Sequence, residues 1–146
     1  MTKFPENLIL IYTELSPDIM YPIHAIEQLN TMYNAIDGKM KKIEKSISKE
    51  GIKHPLILRN EKDNGTYQVY RGCQRLYLSN KLNIKKIPCL VNCLKGQKNI
   101  PEGKQIKSVE EALSYFDKYD ENQIYNQEMR INEKGIAKCG FNVRGI

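Results

Sequence analysis

Apolar and polar residues alternate along the chain in patterns that predict both strands and helices. Short apolar runs rich in β-branched and aromatic residues predict strands at residues 8–12, 56–59, 67–71 and 86–91. Apolar residues that recur at helical spacing predict helices at residues 26–36, 39–50, 74–82 and 109–119. Strands and helices are therefore interleaved along most of the chain.

Glycine, proline and turn-forming residues mark the ends of several of these elements. Gly38 and Gly51 are expected to end the first two helices, because glycine adopts the left-handed backbone that follows a helix. Residues 63–65, Asp-Asn-Gly, are a strong signal for a hairpin turn. Pro88 lacks an N–H group, so it predicts either the first position of a strand or an edge strand.

The part of the chain after residue 95 carries weaker signals. Residues 95–107 are predicted to be a polar loop, and Ser108 with Glu111 three residues later forms the pattern of a capping box that opens the last helix. Residues 122–130 fit no single pattern. The glycine-containing tail, residues 131–146, is interpreted as a strand pair or an arm.

One turn, between the predicted strand 67–71 and the helix after it, suggests chemistry. Gly72 can adopt a backbone conformation that a Cβ atom would block, and Cys73, Gln74 and Arg75 then form the first turn of the helix. The first N–H groups of a helix have no partner inside it and carry the positive end of the helix dipole. Together with the forked guanidinium of Arg75, they suit a phosphate group. The alternative is an ordinary glycine turn that binds nothing.

Length and charge set the class of protein. With 146 residues, 40% hydrophobic and 27% charged, the chain fits one globular domain with a genuine core. No membrane-spanning run or signal peptide is evident, so we expect a soluble cytoplasmic protein. The net charge of +6 favours phosphate partners, on a nucleotide or on a nucleic-acid backbone, although dispersed lysines also serve solubility alone.

The four cysteines are interpreted as free thiols rather than as a disulfide framework or a metal site. They are Cys73, Cys89, Cys93 and Cys139, and no secretory signal accompanies them. No second Cys/His pair at a suitable spacing completes a zinc site, so no metal ligands are predicted. On a strand, Cys89 and Cys93 would point to the same face, where they are expected to be small buried packing residues.

Three segments in a fixed order give the chain a family resemblance. A helix ends in residues 46–52 (Ser-Ile-Ser-Lys-Glu-Gly-Ile), residues 54–58 read His-Pro-Leu-Ile-Leu, and residues 72–75 read Gly-Cys-Gln-Arg. Residues 87–91, Ile-Pro-Cys-Leu-Val, close the set. This succession resembles the ParB/sulfiredoxin superfamily over residues 8–93.

The resemblance implies a fold and a ligand. The fold is α/β (α+β), a small mixed sheet flanked by helices, with residues 1–95 as the ParB/sulfiredoxin-like core. Residues 96–146 would then be a C-terminal helical extension and tail packed on that core. The implied ligand is a nucleoside triphosphate, ATP or CTP with Mg²⁺, whose phosphates bind at the glycine turn. Members of the superfamily include partition proteins that bind and hydrolyse CTP, small-molecule kinases, and sulfiredoxin.

The resemblance also assigns residues to the site. In sulfiredoxins the turn reads Gly-Cys-His-Arg, so Gly72, Cys73 and Arg75 match and Gln74 replaces the histidine. In partition proteins the turn typically reads Gly-Glu-Arg-Arg, so Gly72 and Arg75 alone match. Lys39 falls where sulfiredoxins carry a phosphate-binding lysine. The expected nucleotide-binding residues are thus Lys39 and the turn residues Gly72, Cys73, Gln74 and Arg75.

Three hypotheses for the function stay open at this point. As an enzyme, the chain would be a nucleotide-dependent phosphotransferase or hydrolase, with Arg75 and Glu14 as catalytic candidates. Cys73 is a third catalytic candidate if the enzyme repairs sulfinic acids. The base that activates the phosphoryl acceptor would be Glu14, Asp18 or Asp37. As a binding module, it would hold a nucleotide or a nucleic-acid backbone without turnover. A third hypothesis is a protein-interaction domain that retains the fold with an inactive site, and a protein substrate is also a candidate partner.

Overall fold

Six strands and four α-helices make up the part of the protein that the structure, a computed structural model, describes: residue 4 and residues 6–115. The strands are β1 (Leu8–Leu15), β2 (Met20–Pro22), β3 (Leu56–Arg59), β4 (Tyr67–Arg71), β5 (Ile87–Leu94) and β6 (Lys104–Ile106). The helices are α1 (Ile26–Tyr33), α2 (Lys39–Glu50), α3 (Cys73–Lys81) and α4 (Val109–Leu113), and a short 3₁₀ helix spans Pro17–Ile19. None of the described helices is both long and apolar enough to span a bilayer.

The strands form one mixed sheet in the order β2-β4-β3-β5-β1-β6. Strand β3 pairs antiparallel with β4 and parallel with β5, while β1 pairs antiparallel with both β5 and β6. Strand β2 closes the other edge by pairing parallel with β4. The result is an α+β fold with a small mixed sheet, as the resemblance implied.

Each face of the sheet supports its own hydrophobic core. One core joins the inward side chains of β3, β4 and β5 to α1, α2 and α3; its fully buried members include Leu29, Leu56, Leu58 and Leu78. The other core joins β1, β5 and β6 to α4, through Leu10, Leu90, Ile106 and Ala112. The alternation along β5 places Cys89 and Cys93 on the first face, both fully buried, which confirms their role as small packing residues.

The sequence pattern predicted the central elements well. Helix α2 and strands β3 and β4 have the predicted bounds, and the hairpin turn between the two strands contains Asp63 in the left-handed region, with a φ of 50°. Strand β1 runs three residues further than predicted, to Leu15. Strands β2 and β6 were missed, and β6 falls inside the predicted loop 95–107, because a three-residue strand has too short a pattern to recognise.

The prediction for the first helix was wrong at its C-terminal end. Helix α1 stops at Tyr33, and Ile36, expected on its buried stripe, is fully exposed. Ile26 and Met32 also remain 54% and 39% exposed, so Leu29 is the buried residue of α1. Helical spacing identified the apolar face correctly, but the core contacts that face over about one turn only.

Two further expectations are settled near β5 and α4. The edge alternative for Pro88 is wrong, because β5 lies in the middle of the sheet, and Pro88 instead occupies its second position opposite Glu14. Ser108 caps α4 by accepting a hydrogen bond from the Glu111 amide at 3.1 Å, as predicted. The return bond of Glu111 goes to the amide of Lys107 rather than to that of Ser108. The predictions for residues 116–146 lie outside the described residues.

The hairpin turn holds the loop after β5 through a carboxylate. Asp63 accepts hydrogen bonds from the amides of Lys98, at 2.9 Å, and Asn99, at 2.7 Å. The Asn99 carbonyl in turn accepts a hydrogen bond from the hydroxyl of Tyr67 at 2.8 Å. The amides of Lys98 and Asn99 lower the pKa of Asp63 from its usual value. The folded protein therefore favours the ionised carboxylate.

This contact gives a prediction for the pH dependence of stability. Because the folded pKa of Asp63 is lowered, its contribution is complete above the unfolded pKa of about 4 and is lost as the pH falls through the folded pKa. Asp63→Asn should therefore destabilise the protein at pH 7, and the difference from wild type should shrink below about pH 4. Asparagine tolerates the same left-handed backbone, so the change removes the charge and one of the two acceptor oxygens without straining the turn. Urea unfolding at pH 7 and pH 3 measures it, and an equal difference at both values would contradict the prediction.

Candidate functional site

The start of α3 has the geometry that the sequence predicted for the glycine turn. Gly72 is the N-cap residue with φ 105° and ψ 22°, a conformation in the left-handed region, and its carbonyl accepts the first helical bond from the amide of Leu76 at 2.9 Å. The helix begins at Cys73, so Gln74 and Arg75 lie in its first turn. We call residues 72–75 the α3 tip. Its amides carry the positive end of the helix dipole.

Strand pairing brings the segment before β3 alongside the α3 tip. Strands β3 and β4 are antiparallel, with Ile57 opposite Arg71, so the start of β3 lies beside the end of β4. The connector, residues 51–55, leads from α2 into that start. Two segments that are almost twenty residues apart in sequence therefore meet at the same end of the sheet.

Arg75 binds the connector directly. Its Nη1 atom donates hydrogen bonds to the carbonyl oxygen of His54, at 2.5 Å, and to that of Pro55, at 3.5 Å. The side chain is half-buried. The guanidinium is thus held by main-chain acceptors of the connector, and its position is fixed by the fold.

Position 72 requires a glycine for two reasons: its backbone conformation and the lack of room for a Cβ atom. A Cβ atom built at this position would lie 2.6 Å from Cγ of Leu56, 3.1 Å from Nη2 of Arg75 and 3.4 Å from Cζ of Arg75. Leu56 is fully buried at the start of β3. The glycine thus lets the guanidinium lie close against the turn.

A cleft of about 570 Å³ opens beside the α3 tip. Helices α1 and α2 supply mainly apolar side chains to its lining: Leu29, Met32, Ile43 and Ile47. The connector and the α3 tip supply mainly polar or charged groups: Lys53, His54, Gln74 and Arg75. The volume is in the range typical of small-molecule sites, and so is the combination of an apolar lining with a few polar groups.

Gly72, Cys73, Gln74 and Arg75, the four predicted binding residues of the turn, all line this cleft. Cys73 is 6% exposed, and its Sγ donates a hydrogen bond to the carbonyl oxygen of Val69 at 3.5 Å. The thiol is therefore directed back toward the middle of β4. The amide side chain of Gln74 is half-buried at the cleft.

Lys39 is not among the residues that line the cleft in the described part of the chain. It is the first residue of α2, is exposed, and its amide donates a hydrogen bond to the carboxylate of Asp37 at 3.0 Å. It lies one turn before Ile43, which does line the cleft. A role for Lys39 in phosphate binding stays a prediction.

Glu14 lies on a second concave surface, of about 470 Å³, which it lines with Tyr12, Ser48 and Lys86. Burial of Tyr12 and, second to it, the charge of Glu14 raise the pKa of the tyrosine, which places the carboxylate near that ring. This surface shares Ile47, Gly51 and Ile52 with the cleft. Neither Glu14 nor the other acidic candidates, Asp18 and Asp37, line the cleft itself within the described residues.

The described residues contain no group of three or more His, Cys, Asp or Glu side chains placed to hold a metal ion. Cys89 and Cys93 are free and buried. Burial raises the pKa of Cys89 to about 12 and that of Cys93 to about 11, so both thiols stay protonated at neutral pH. The charge of Arg75 has a smaller and opposite effect on Cys89.

Sequence reasoning missed several residues of the cleft. His24, Ser46, Lys53 and His54 all line it, and none of them was a predicted site residue. They come from the loop before α1, from α2 and from the connector. Ser46 and His54 belong to the segments that carry the family resemblance, but no local pattern predicts that the four residues meet, because they come together only when the helices and β3 are packed.

Comparison with models of known families identifies the family of the chain. The model of the ParB N-terminal domain family matches residues 17–102, which is more than half of the chain. The chain belongs to the ParB N-terminal domain family. This confirms the resemblance seen in the sequence, and the matched residues include the cleft and the α3 tip.

Individual relatives are more distant. A nucleoid occlusion protein from Bacillus velezensis is 27% identical over 105 residues, which are 64% of this chain and 36% of that protein. The chain thus matches only about a third of the length of this relative. Among solved structures, sulfiredoxin from Arabidopsis thaliana is 24% identical, with a TM-score of 0.43, over 59% of this chain and 86% of that one.

A second solved structure covers more of the chain. It is a C-terminally truncated chromosome-partitioning protein ParB from Caulobacter crescentus, complexed with CTP-γ-S. The similarity extends over 90% of this chain and 72% of that one, with 15% identity and a TM-score of 0.44.

Proposed function

We propose that this ParB-family chain binds a nucleoside triphosphate, ATP or CTP, with the phosphates at the α3 tip. The observation that carries the proposal is a helix N-terminus, opened by Gly72 and flanked by the guanidinium of Arg75, that faces a cleft of about 570 Å³. Membership of the ParB N-terminal family supports it. So does the net charge of +6, which favours polyanionic partners.

The α3 tip supplies the anion-binding part of the proposed site. Helix α3 has nine residues, long enough for its aligned peptide dipoles to favour an anion at the N-terminus. Arg75 adds a charge-assisted donor, and such hydrogen bonds to phosphate are about twice as strong as neutral ones. Lys53 lines the same cleft, and its ammonium is paired with the carboxylate of Glu50 at 2.6 Å.

The apolar lining suits the rest of a nucleotide. Met32 and Ile43, which reach solvent above the buried Leu29 and Ile47, present a surface on which a base and a sugar would be removed from water. Met32 is 39% exposed in the ligand-free protein, so contact with a base would bury apolar area that is now hydrated. A free phosphate alone would leave this surface uncovered.

Mg²⁺ would be held mainly by the nucleotide. The described residues offer no cluster of carboxylates or histidines for a metal ion. Mg²⁺ commonly keeps several waters and binds through substrate phosphates plus one or two carboxylates. The chemistry of the donors present therefore fits a metal that arrives with the triphosphate.

Calorimetric titration with ATP, CTP, GTP and ADP, each with Mg²⁺, tests the proposal. Wild type should bind at least one triphosphate, and Arg75→Ala should bind it roughly 10- to 100-fold more weakly, because a charged hydrogen bond to phosphate is lost. Lys42→Ala is the matched control: Lys42 is an exposed cation on α2 and does not line the cleft. Its affinity should stay close to that of wild type.

Release of phosphate or formation of a phosphorylated product, measured in the same samples, separates the two classes of function. Turnover that disappears in Arg75→Ala supports a phosphotransferase or hydrolase. Binding without turnover supports a nucleotide-binding module. If no nucleotide binds, or if Arg75→Ala binds as tightly as wild type, the proposed site is wrong, and titration with DNA or RNA at several salt concentrations tests the nucleic-acid alternative.

A further inference from the structure

Arg75 contacts both sides of the boundary between the connector and the α3 tip. Its Nη1 atom donates to the carbonyl oxygens of His54 and Pro55. Its Nη2 atom lies 3.1 Å from the position that a Cβ atom on Gly72 would occupy, so this nitrogen is at the turn itself. One planar group thus touches the last residues of the connector and the first residue of the tip.

The connector forms part of the wall of the cleft. Gly51, Ile52, Lys53 and His54 all line it, immediately before β3 begins. Gly51 ends α2 with φ 78°, and its amide donates to the Ile47 carbonyl at 2.8 Å. Residues 51–55 themselves belong to no helix or strand. The position of this wall therefore depends on contacts such as that of Arg75.

We propose that Arg75 is a positioning residue that ties the connector to the α3 tip, so that binding of a polyphosphate at the tip and ordering of the connector are coupled. The two carbonyl oxygens fix the orientation of the guanidinium, and the guanidinium in turn fixes the wall that carries Lys53 and His54. The coupling to a ligand rests on the proposed function. The hydrogen bonds from Arg75 to the connector, which we call the tie, are a property of the ligand-free protein.

The shape of arginine is what the tie requires. A guanidinium is planar and offers five N–H donors in fixed directions, so one nitrogen can bind the carbonyl oxygens while another points to the turn. A lysine ammonium carries the same charge as a single compact group. Arg75→Lys therefore keeps the cation while it removes the ability to serve both segments at once.

Backbone ¹⁵N relaxation of the ligand-free protein tests the tie. In wild type, the amides of Ile52, Lys53 and His54 should have order parameters between about 0.6 and the value of a rigid backbone, about 0.85, and in Arg75→Lys they should fall below about 0.6. The amides of β3 and β5 should stay rigid in both proteins and serve as the check on folding. Lys42→Gln, which removes an exposed cation from α2, is the control and should leave the connector unchanged.

Inorganic tripolyphosphate with Mg²⁺ tests the coupling. In wild type it should shift the amide signals of Gln74 and Arg75 and raise the order parameters of Lys53 and His54, because the anion holds the guanidinium more firmly. In Arg75→Lys the signals at the tip should still shift, at higher tripolyphosphate concentration, while the connector stays mobile. If Arg75 only supported the fold, Arg75→Lys would change the signal shifts at the α3 tip and the ordering of the connector together.

Three outcomes of these experiments test the tie, the coupling and the proposed function separately. Equal order parameters of the connector in ligand-free wild type and Arg75→Lys would overturn the tie. If tripolyphosphate ordered the connector equally in both proteins, the coupling through Arg75 would be wrong. If tripolyphosphate shifted no signal at the tip while the ligand-free proteins still differed, the proposed function would fail and the tie would stand.

Discussion

Replacement of Gly72 by alanine is expected to lower the free energy of unfolding by about 2–5 kcal/mol. Two costs add at this position. A non-glycine residue is strained at a φ of 105°, and the new methyl group would lie 2.6 Å from Cγ of Leu56. Leu56 is fully buried at the start of β3, so it cannot move away without disturbing the core. Equilibrium unfolding in urea measures the difference.

Gly38→Ala is the matched control for this prediction. Gly38 is also the left-handed N-cap residue of a helix, α2, with a φ of 66°, but a Cβ atom there would meet nothing within 4 Å. Its replacement should cost about 1 kcal/mol, from backbone strain alone. If Gly38→Ala and Gly72→Ala were equally destabilising, the close approach of Leu56 and Arg75 to the turn would not matter.

The variant Leu78→Ala should also lose about 2–5 kcal/mol of unfolding free energy. Leu78 is fully buried in α3, where it packs in the core between the helices and β3, β4 and β5. Truncation to alanine removes apolar contact area and leaves a cavity that the rigid sheet cannot close. Because α3 carries the tip, this core contact also holds the proposed binding site in place.

Asn80→Ala, two residues further along α3, provides the comparison. Asn80 is exposed, and alanine has the higher helix propensity, so this change should be neutral or slightly stabilising. Urea unfolding of both variants compares the buried and exposed faces of one helix. Similar losses for Leu78→Ala and Asn80→Ala would contradict the assignment of Leu78 to the core.

Only the part of the site that lies in contiguous residues could be predicted from sequence. Residues 67–75 contain the whole pattern of a strand, a glycine and a helix, so the turn and the residues at its tip were found without the structure. The cleft was not, because His24 and His54 reach it from loops far apart in the chain. Ile36 shows the same limit for the core, since its helical spacing predicted burial and it is fully exposed.

The sequence by itself determined the local structures: α2, β3, β4 and the glycine turn at the start of α3. Their signals lie in contiguous residues, where hydrophobic period and backbone preference act within a few positions. Only the tertiary structure decided what Arg75 touches. The antiparallel pairing of β3 with β4 brings the carbonyl oxygens of His54 and Pro55 to its guanidinium. Those hydrogen bonds depend on the register of β3 against β4, which shifts between Ile57 and Leu58, and the residues around Arg75 do not specify it.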